Sequence, residues 1–282
     1  MDTEKRLSHT AVPSRLTKAW HVVKPCVPTT FRYVVRKNLQ YLHSRKLTTD
    51  DVMLLSYPKS GSTWLRSMLL LIVSENKATP SNLAEWIPPL HMVGHRRFSS
   101  PRIVRSHDAI DTPGFSKSGK ILVLVRDPRS LVVSYYHHLK RRNISTTIED
   151  CTSELLNHGF DEIGSWKQHV SQAVKMAGMS ENVKIVTYES LLENTQAQMS
   201  AILDFYKLDQ SNVDLAEVIQ KCTPDNLRKM RISAGVDLNT PNGSDIRKGS
   251  AKGWQDECPT SCIQKIQNQT GKQLEALGYT LI

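Results

Sequence analysis

No stretch of this 282-residue chain is apolar for long enough to cross a bilayer. The best candidate, Ser67–Val73, is short and has Arg66 at its edge, so no membrane span is expected. The opening Met1-Asp2-Thr3-Glu4-Lys5-Arg6 leads into polar sequence instead of an apolar core, which argues against an export leader and for a cytoplasmic protein. Cysteine is scarce as well: five residues, Cys26, Cys151, Cys222, Cys258 and Cys262, an odd number without CxxC spacing. That pattern fits neither a disulfide framework nor a zinc site, and a reducing compartment accounts for it. An HExxH pair and internal repeats are also missing, and no metal is expected.

What is present is a globular composition, 39% hydrophobic and 23% charged, with a net charge of +10. Ten lysines and arginines against Asp2 and Glu4 place +8 of that charge in residues 1–46 and leave the other 236 nearly balanced. This basic arm suits nucleic acid or an anionic membrane surface, and equally a solvated leader or a lid beside an anionic ligand. Val34, Val35, Leu39 and Leu42 give it the pattern of an amphipathic helix. Beyond it, short apolar runs alternate with segments of helical period, predicting an α/β fold with a central parallel sheet flanked by helices. Strands are expected at 52–57, 103–106, 121–125 and 183–187, and helices at 63–74, 128–140, 162–175, 189–205 and 258–277. Stretches 75–101 and 231–257 read as long loops, and residues 47–282 as a single domain.

The segment Val52-Met53-Leu54-Leu55-Ser56-Tyr57-Pro58-Lys59-Ser60-Gly61-Ser62-Thr63-Trp64 is a buried strand, a tight polar turn and a helix start. Such a turn cradles phosphate: Gly61 permits close backbone approach, the free amides and dipole of the helix attract an anion, Lys59 adds a charge, and Ser60, Ser62 and Thr63 add donors. An ordinary capped helix after a strand is the plainer alternative. The lysine precedes the single glycine, so the order is not that of a Walker A loop. Two further strands end in chemistry-bearing residues: Ile121–Val125 in Arg126-Asp127-Pro128, with Ser134 further along the helix, and Ile103–Ser106 in His107. Taken alone, Arg126 and Asp127 read as a surface ion pair and a lone histidine as structural.

With its flanks, the Lys59–Trp64 segment resembles the 5′-phosphosulfate loop of sulfotransferases that use 3′-phosphoadenosine 5′-phosphosulfate (PAPS). Arg126 and Ser134 resemble the family's 3′-phosphate site, and Arg247-Lys248-Gly249 resembles its RKG element, with Trp254 following. Arg105-Ser106-His107 is similar to the strand that delivers the catalytic base, with arginine where lysine is usual. Trp64 and Tyr188 stand where the family contacts adenine, although Trp64 also reads as core. Thr223-Pro224-Asp225-Asn226-Leu227 occupies the place of a second stacking element, with Pro224 for an aromatic residue. These elements follow the family's order over residues 50–280; the dimerisation motif of animal cytosolic members is absent.

The resemblance implies a three-layer, P-loop-like fold and transfer of a sulfuryl group from PAPS to a hydroxyl or amine of a small-molecule acceptor. His107 would be the general base and Lys59 would stabilise the leaving phosphate. A nucleotide kinase or ATPase would share the strand, loop and helix, but Walker A order and a metal-binding acid at a strand end are lacking. A nucleic-acid-binding protein would explain the arm but not the balanced remainder.

Overall fold

In the computed structural model, residues 38, 40–79, 82–93, 99–233 and 251–282 are described. Most of the basic arm, including Val34, Val35 and Leu39, and the whole of Arg247-Lys248-Gly249 lie outside them.

Four parallel strands form one sheet in the order β2-β1-β3-β4. They are β1 Asp51–Ser56, β2 Arg102–Ser106, β3 Lys120–Val125 and β4 Val183–Thr187. Alternation of side chains across β1 and β3 creates three layers. Met53, Leu55, Ile121, Val123 and Val125 face one apolar cluster, Val52, Leu54, Leu122 and Leu124 the other. On the second face lie α1 Ser62–Val73, α5 Tyr188–Glu193, α6 Thr195–Tyr206, α7 Leu215–Lys221 and α8 Pro224–Ser233. The first face is covered by α2 Pro128–Arg141, α3 Ile148–Asn157, α4 Trp166–Met179 and α9 Thr260–Ala276. Leu65, Met68, Leu69 and Ile72 line the buried side of α1. Each side chain so buried contributes roughly 1.5–3 kcal/mol, which anchors the helix whose first turn borders the phosphate-type loop.

Three expected strands begin one residue early, at Asp51, Arg102 and Lys120. Asp51 and Arg102 are register partners in the β1–β2 ladder, and Arg102 Nε and Nη2 donate to Asp51 at 2.8 and 2.7 Å, both side chains buried. An apolar-run criterion passes over charges that neutralise each other. The helix expected from 162 begins at Trp166, because Ser165 and Gln168 form a capping box. The single helix expected over 189–205 is two: Thr187 caps α5, and Asn194 ends it and caps α6 through Ala197 N. Helices α3, α7 and α8 were not anticipated. Thr147 and Asp150 box the start of α3, while Pro224 sits at the first position of α8, where its missing N–H costs nothing.

The β2-β1-β3-β4 order has a functional consequence. From β1 the chain proceeds to β2 on one side, and from β3 to β4 on the other. Such a reversal marks the carboxyl ends of β1 and β3 as the place where an open α/β sheet usually forms its ligand crevice.

The buried pair at the opposite end of β1 is testable. Arg102→Met leaves the Asp51 carboxylate buried without its counter-charge, still accepting from the Thr48 amide, and should lower stability by about 3–5 kcal/mol, read as an earlier urea midpoint. Asp51→Leu combined with Arg102→Met should recover most of the loss. An unchanged midpoint in the single variant would show that the pair contributes nothing.

Candidate active site

Each of the four strands delivers one element to the crevice: the Lys59–Thr63 turn after β1, His107 after β2, Arg126 after β3 and Tyr188 after β4. The turn is shaped by two left-handed residues, Lys59 at φ 70° and Gly61 at φ 89°. Gly61 has a second reason to lack a side chain, because a Cβ there would lie 2.5 Å from Cδ2 of Tyr188. No side chain caps α1 and no acidic residue stands in its first turn. Ser62 and Thr63 therefore do not act as side-chain caps among the described residues, and no acidic residue answers the positive end of the helix. Ser60 is fully buried, and its Oγ has no hydrogen-bond partner among the described residues. A buried hydroxyl left so costs free energy unless a ligand completes it.

Arg126 does not pair with Asp127. Its Nη1 donates to the carbonyl of Lys59 at 3.3 Å, and its guanidinium lies 4.3 Å from the centroid of the Tyr188 ring. Asp127 caps α2 and binds Arg129 with two oxygens. Asp127 is thus an ion-pair residue, but its partner is Arg129 and the pair is buried instead of lying at the surface. Trp64 meets Tyr188 edge-on at 5.9 Å and donates from Nε1 to the carbonyl of Cys222 at 3.0 Å; it is half-buried, with one part packed against the apolar cluster on the second face of the sheet. Through that bond the Thr223–Leu227 segment is held beside Trp64 and Tyr188, with Thr223 accepting from Asn226 N at the start of α8. Ser134 is half-buried in the second turn of α2.

His107 is half-buried, and its Nδ1 lies 2.8 Å from the carbonyl oxygen of Ser56. A carbonyl only accepts, so Nδ1 carries the proton and Nε2 holds the lone pair in the neutral ring. Arg105 Nη1 donates to Nε2 at 3.4 Å. The lysine-to-arginine departure thus places a permanent cation on the nitrogen that has base character. Ser56, missed in the sequence, sets the tautomer; its position at the last residue of β1 was the available signal.

A second histidine lies beneath the strand ends. His169 is buried against Tyr57, with ring centroids 5.5 Å apart, and the Asp108 backbone lies beside its ring without completing a bond to either nitrogen. Burial holds its pKa down at about 4, against the pull of Asp108 and Asp111. Burial also pushes the Glu189 carboxyl above its ordinary range, and the Tyr188 phenol upward. No helix among the described residues is long and apolar enough to cross a membrane.

A family model for the sulfotransferase domain matches residues 49–278. The chain belongs to the sulfotransferase family. It is 25% identical over 253 residues to cytosolic sulfotransferase 13 of Arabidopsis thaliana, covering 80% of this chain and 77% of that one. Human sulfotransferase 2B1 is 26% identical over 258 residues, 83% of this chain and 69% of the relative. Among solved structures, a retinol dehydratase in complex with retinol and PAP superposes with a TM-score of 0.68 at 17% identity, covering 86% of both chains. A mouse sulfotransferase complexed with PAP gives 0.64 at 20% identity, over 85% of this chain and 88% of that one. These likenesses carry the fold, a parallel sheet between helical layers, as expected from the sequence.

Because the folded state keeps His169 neutral and the unfolded chain does not, the unfolded state binds more protons between pH of about 6.5 and 4. Stability is therefore full above pH of about 6.5 and falls through that window, by roughly 3 kcal/mol from this group. His169→Leu should flatten that acid limb in denaturant titrations at pH 7, 5.5 and 4. An identical slope in wild type and variant would contradict the assignment.

Proposed function

We propose that the crevice binds PAPS and transfers its sulfuryl group to a hydroxyl or amine of a small-molecule acceptor, with His107 as general base. The observation that carries this reading is the convergence, on one turn, of an uncapped helix end, the orphaned Ser60 hydroxyl and the Arg126 guanidinium. All three are suited to anionic oxygen. The two solved relatives with TM-scores of 0.68 and 0.64 are complexes with PAP, the product such a donor would leave. The Trp64–Tyr188 wall gives an adenine ring an aromatic edge and face. Arg126 beside that wall, with Ser134 in α2, would hold the 3′-phosphate through the planar guanidinium fork. Arg247, Lys248 and Gly249 are assigned to the same phosphate by the family pattern alone.

In the reaction, Ser56 holds Nδ1–H, leaving Nε2 of His107 to take the acceptor's proton. Arg105 must release Nε2 before that nitrogen can accept, so its guanidinium moves when donor and acceptor are both seated. Lys59 and the first-turn amides of α1 stabilise the charge that develops on the leaving phosphate, a fixed electrostatic contribution that needs no reorganisation. Charge and positioning do most of the work, by analogy with loose phosphoryl transfer, and no step calls for a metal. The acceptor is a small molecule and the setting cytoplasmic; nucleic acid is not a partner in this reading.

Transfer of labelled sulfuryl from PAPS to a panel of phenols, alcohols and amines tests the proposal. His107→Ala should lower kcat by about 10²- to 10⁴-fold with PAP affinity retained, whereas Lys59→Ala should weaken both. Wild-type turnover in the histidine variant would remove His107 as the base. Gly61→Ala, which forces residue 61 against the Tyr188 ring, should abolish PAP binding; unchanged binding would place the nucleotide elsewhere.

A further inference from the structure

The side chain that follows Tyr188 links two of the four strand ends. Glu189 Oε1 accepts the backbone amide of Asp127 at 3.3 Å, and Oε2 accepts the hydroxyl of Tyr279 at 2.6 Å. Its backbone is continuous with the ring that forms the adenine-type wall, while its carboxylate holds the peptide that immediately follows Arg126. One residue thereby ties the turn after β3 to the start of α5, beyond the ladder that already pairs Val125 with Thr187, at the point where the Arg126 guanidinium lies 4.3 Å from the Tyr188 ring.

The second oxygen is not held by a mobile surface group. Tyr279 packs against the main apolar cluster, and the residues after it are tied down as well. Arg129 Nη1 donates to the carbonyl of Thr280 at 3.0 Å and to Gln267 Oε1 at 3.2 Å. Gln267 also donates to the carbonyl of Ile282 at 2.7 Å. Arg129 in turn grips Asp127 and stacks 4.2 Å above Trp254. The segment 279–282 therefore braces, from behind, the same turn that presents Arg126 to the crevice.

We infer that Glu189 and Tyr279 are positioning residues for recognition of the 3′-phosphate. Neither touches the ligand; the pair fixes Arg126 relative to Tyr188, so that phosphate and adenine are read at one spacing. Loss of the pair should leave the 5′-phosphate loop intact and selectively erode the advantage of a nucleotide bearing a 3′-phosphate. A merely structural pair would lower stability and weaken all nucleotides alike. The inference rests on the proposed PAPS site.

The test is the ratio of Kd values for adenosine 5′-monophosphate and adenosine 3′,5′-bisphosphate, measured by calorimetry on the full chain, with melting temperature recorded in parallel. Tyr279→Phe keeps the packed ring and removes the hydroxyl, and Glu189→Ala removes both contacts. Each should reduce the ratio by about tenfold or more, the usual weight of a hydrogen bond to a charged group. Glu189→Gln, which keeps an acceptor for Asp127 N and a donor for Tyr279, should retain most of it. A wild-type preference that persists in Tyr279→Phe and Glu189→Ala, or is lost equally in Glu189→Gln, would overturn the inference. A wild type with no preference would instead overturn the PAPS reading on which it stands.

Discussion

A Cβ atom on residue 61 would stand 2.5 Å from the ring of Tyr188, and the site is organised around that contact. It ties the turn after β1 to the end of β4, two strands separated in the sheet by β3. Between them Arg126 is laid on the Tyr188 ring and bonded to the Lys59 carbonyl, so three strand ends share one small volume. The left-handed conformation at Gly61 also turns the chain directly into α1 with no side-chain cap, which is why the helix end faces the crevice with its amides available. Glycine serves both needs at once: it adopts φ 89° without strain and it leaves room for the tyrosine.

The rest of the fold keeps those ends in place. The β1–β2 ladder is secured at its far end by the buried Asp51–Arg102 pair, and the central position of β1 puts the crevice between β1 and β3. Ser56 and Arg105 take opposite nitrogens of His107. One fixes which nitrogen holds the lone pair and the other places a cation on it; in the proposed reaction that nitrogen would be the base. A lysine in place of Arg105 would offer a compact, rotatable ammonium; arginine's planar fork is always charged and holds a more fixed geometry.

Much of this was legible in the sequence because the crevice is built from residues adjacent to strands. Apolar runs located all four strands, and Lys59, Gly61, His107, Arg126 and Tyr188 follow their ends directly. What escaped was of two kinds. Elements that begin with polar partners, such as α3 at Thr147–Asp150 and the charged first residues of β1 and β2, carry no apolar signal at their edges. Contacts between residues far apart in the chain, such as Glu189 with Tyr279 and Trp64 with the Cys222 carbonyl, have no local pattern at all. Asn194 is intermediate: asparagine inside a helical period is a weak stop signal, and only its side-chain bond to Ala197 N reveals that it separates α5 from α6.

In the proposed reaction the four strand ends form one site for a nucleotide phosphorylated at both 5′ and 3′ positions. Calorimetric titration of the wild-type chain with adenosine 3′,5′-bisphosphate, adenosine 5′-monophosphate and ATP with Mg²⁺, at two salt concentrations, tests it most directly. The expected result is saturable one-to-one binding of the bisphosphate, tighter than binding of either comparison nucleotide at both salt concentrations. Absence of bisphosphate binding, or a preference for ATP, would contradict it and favour a kinase-type reaction on the same fold.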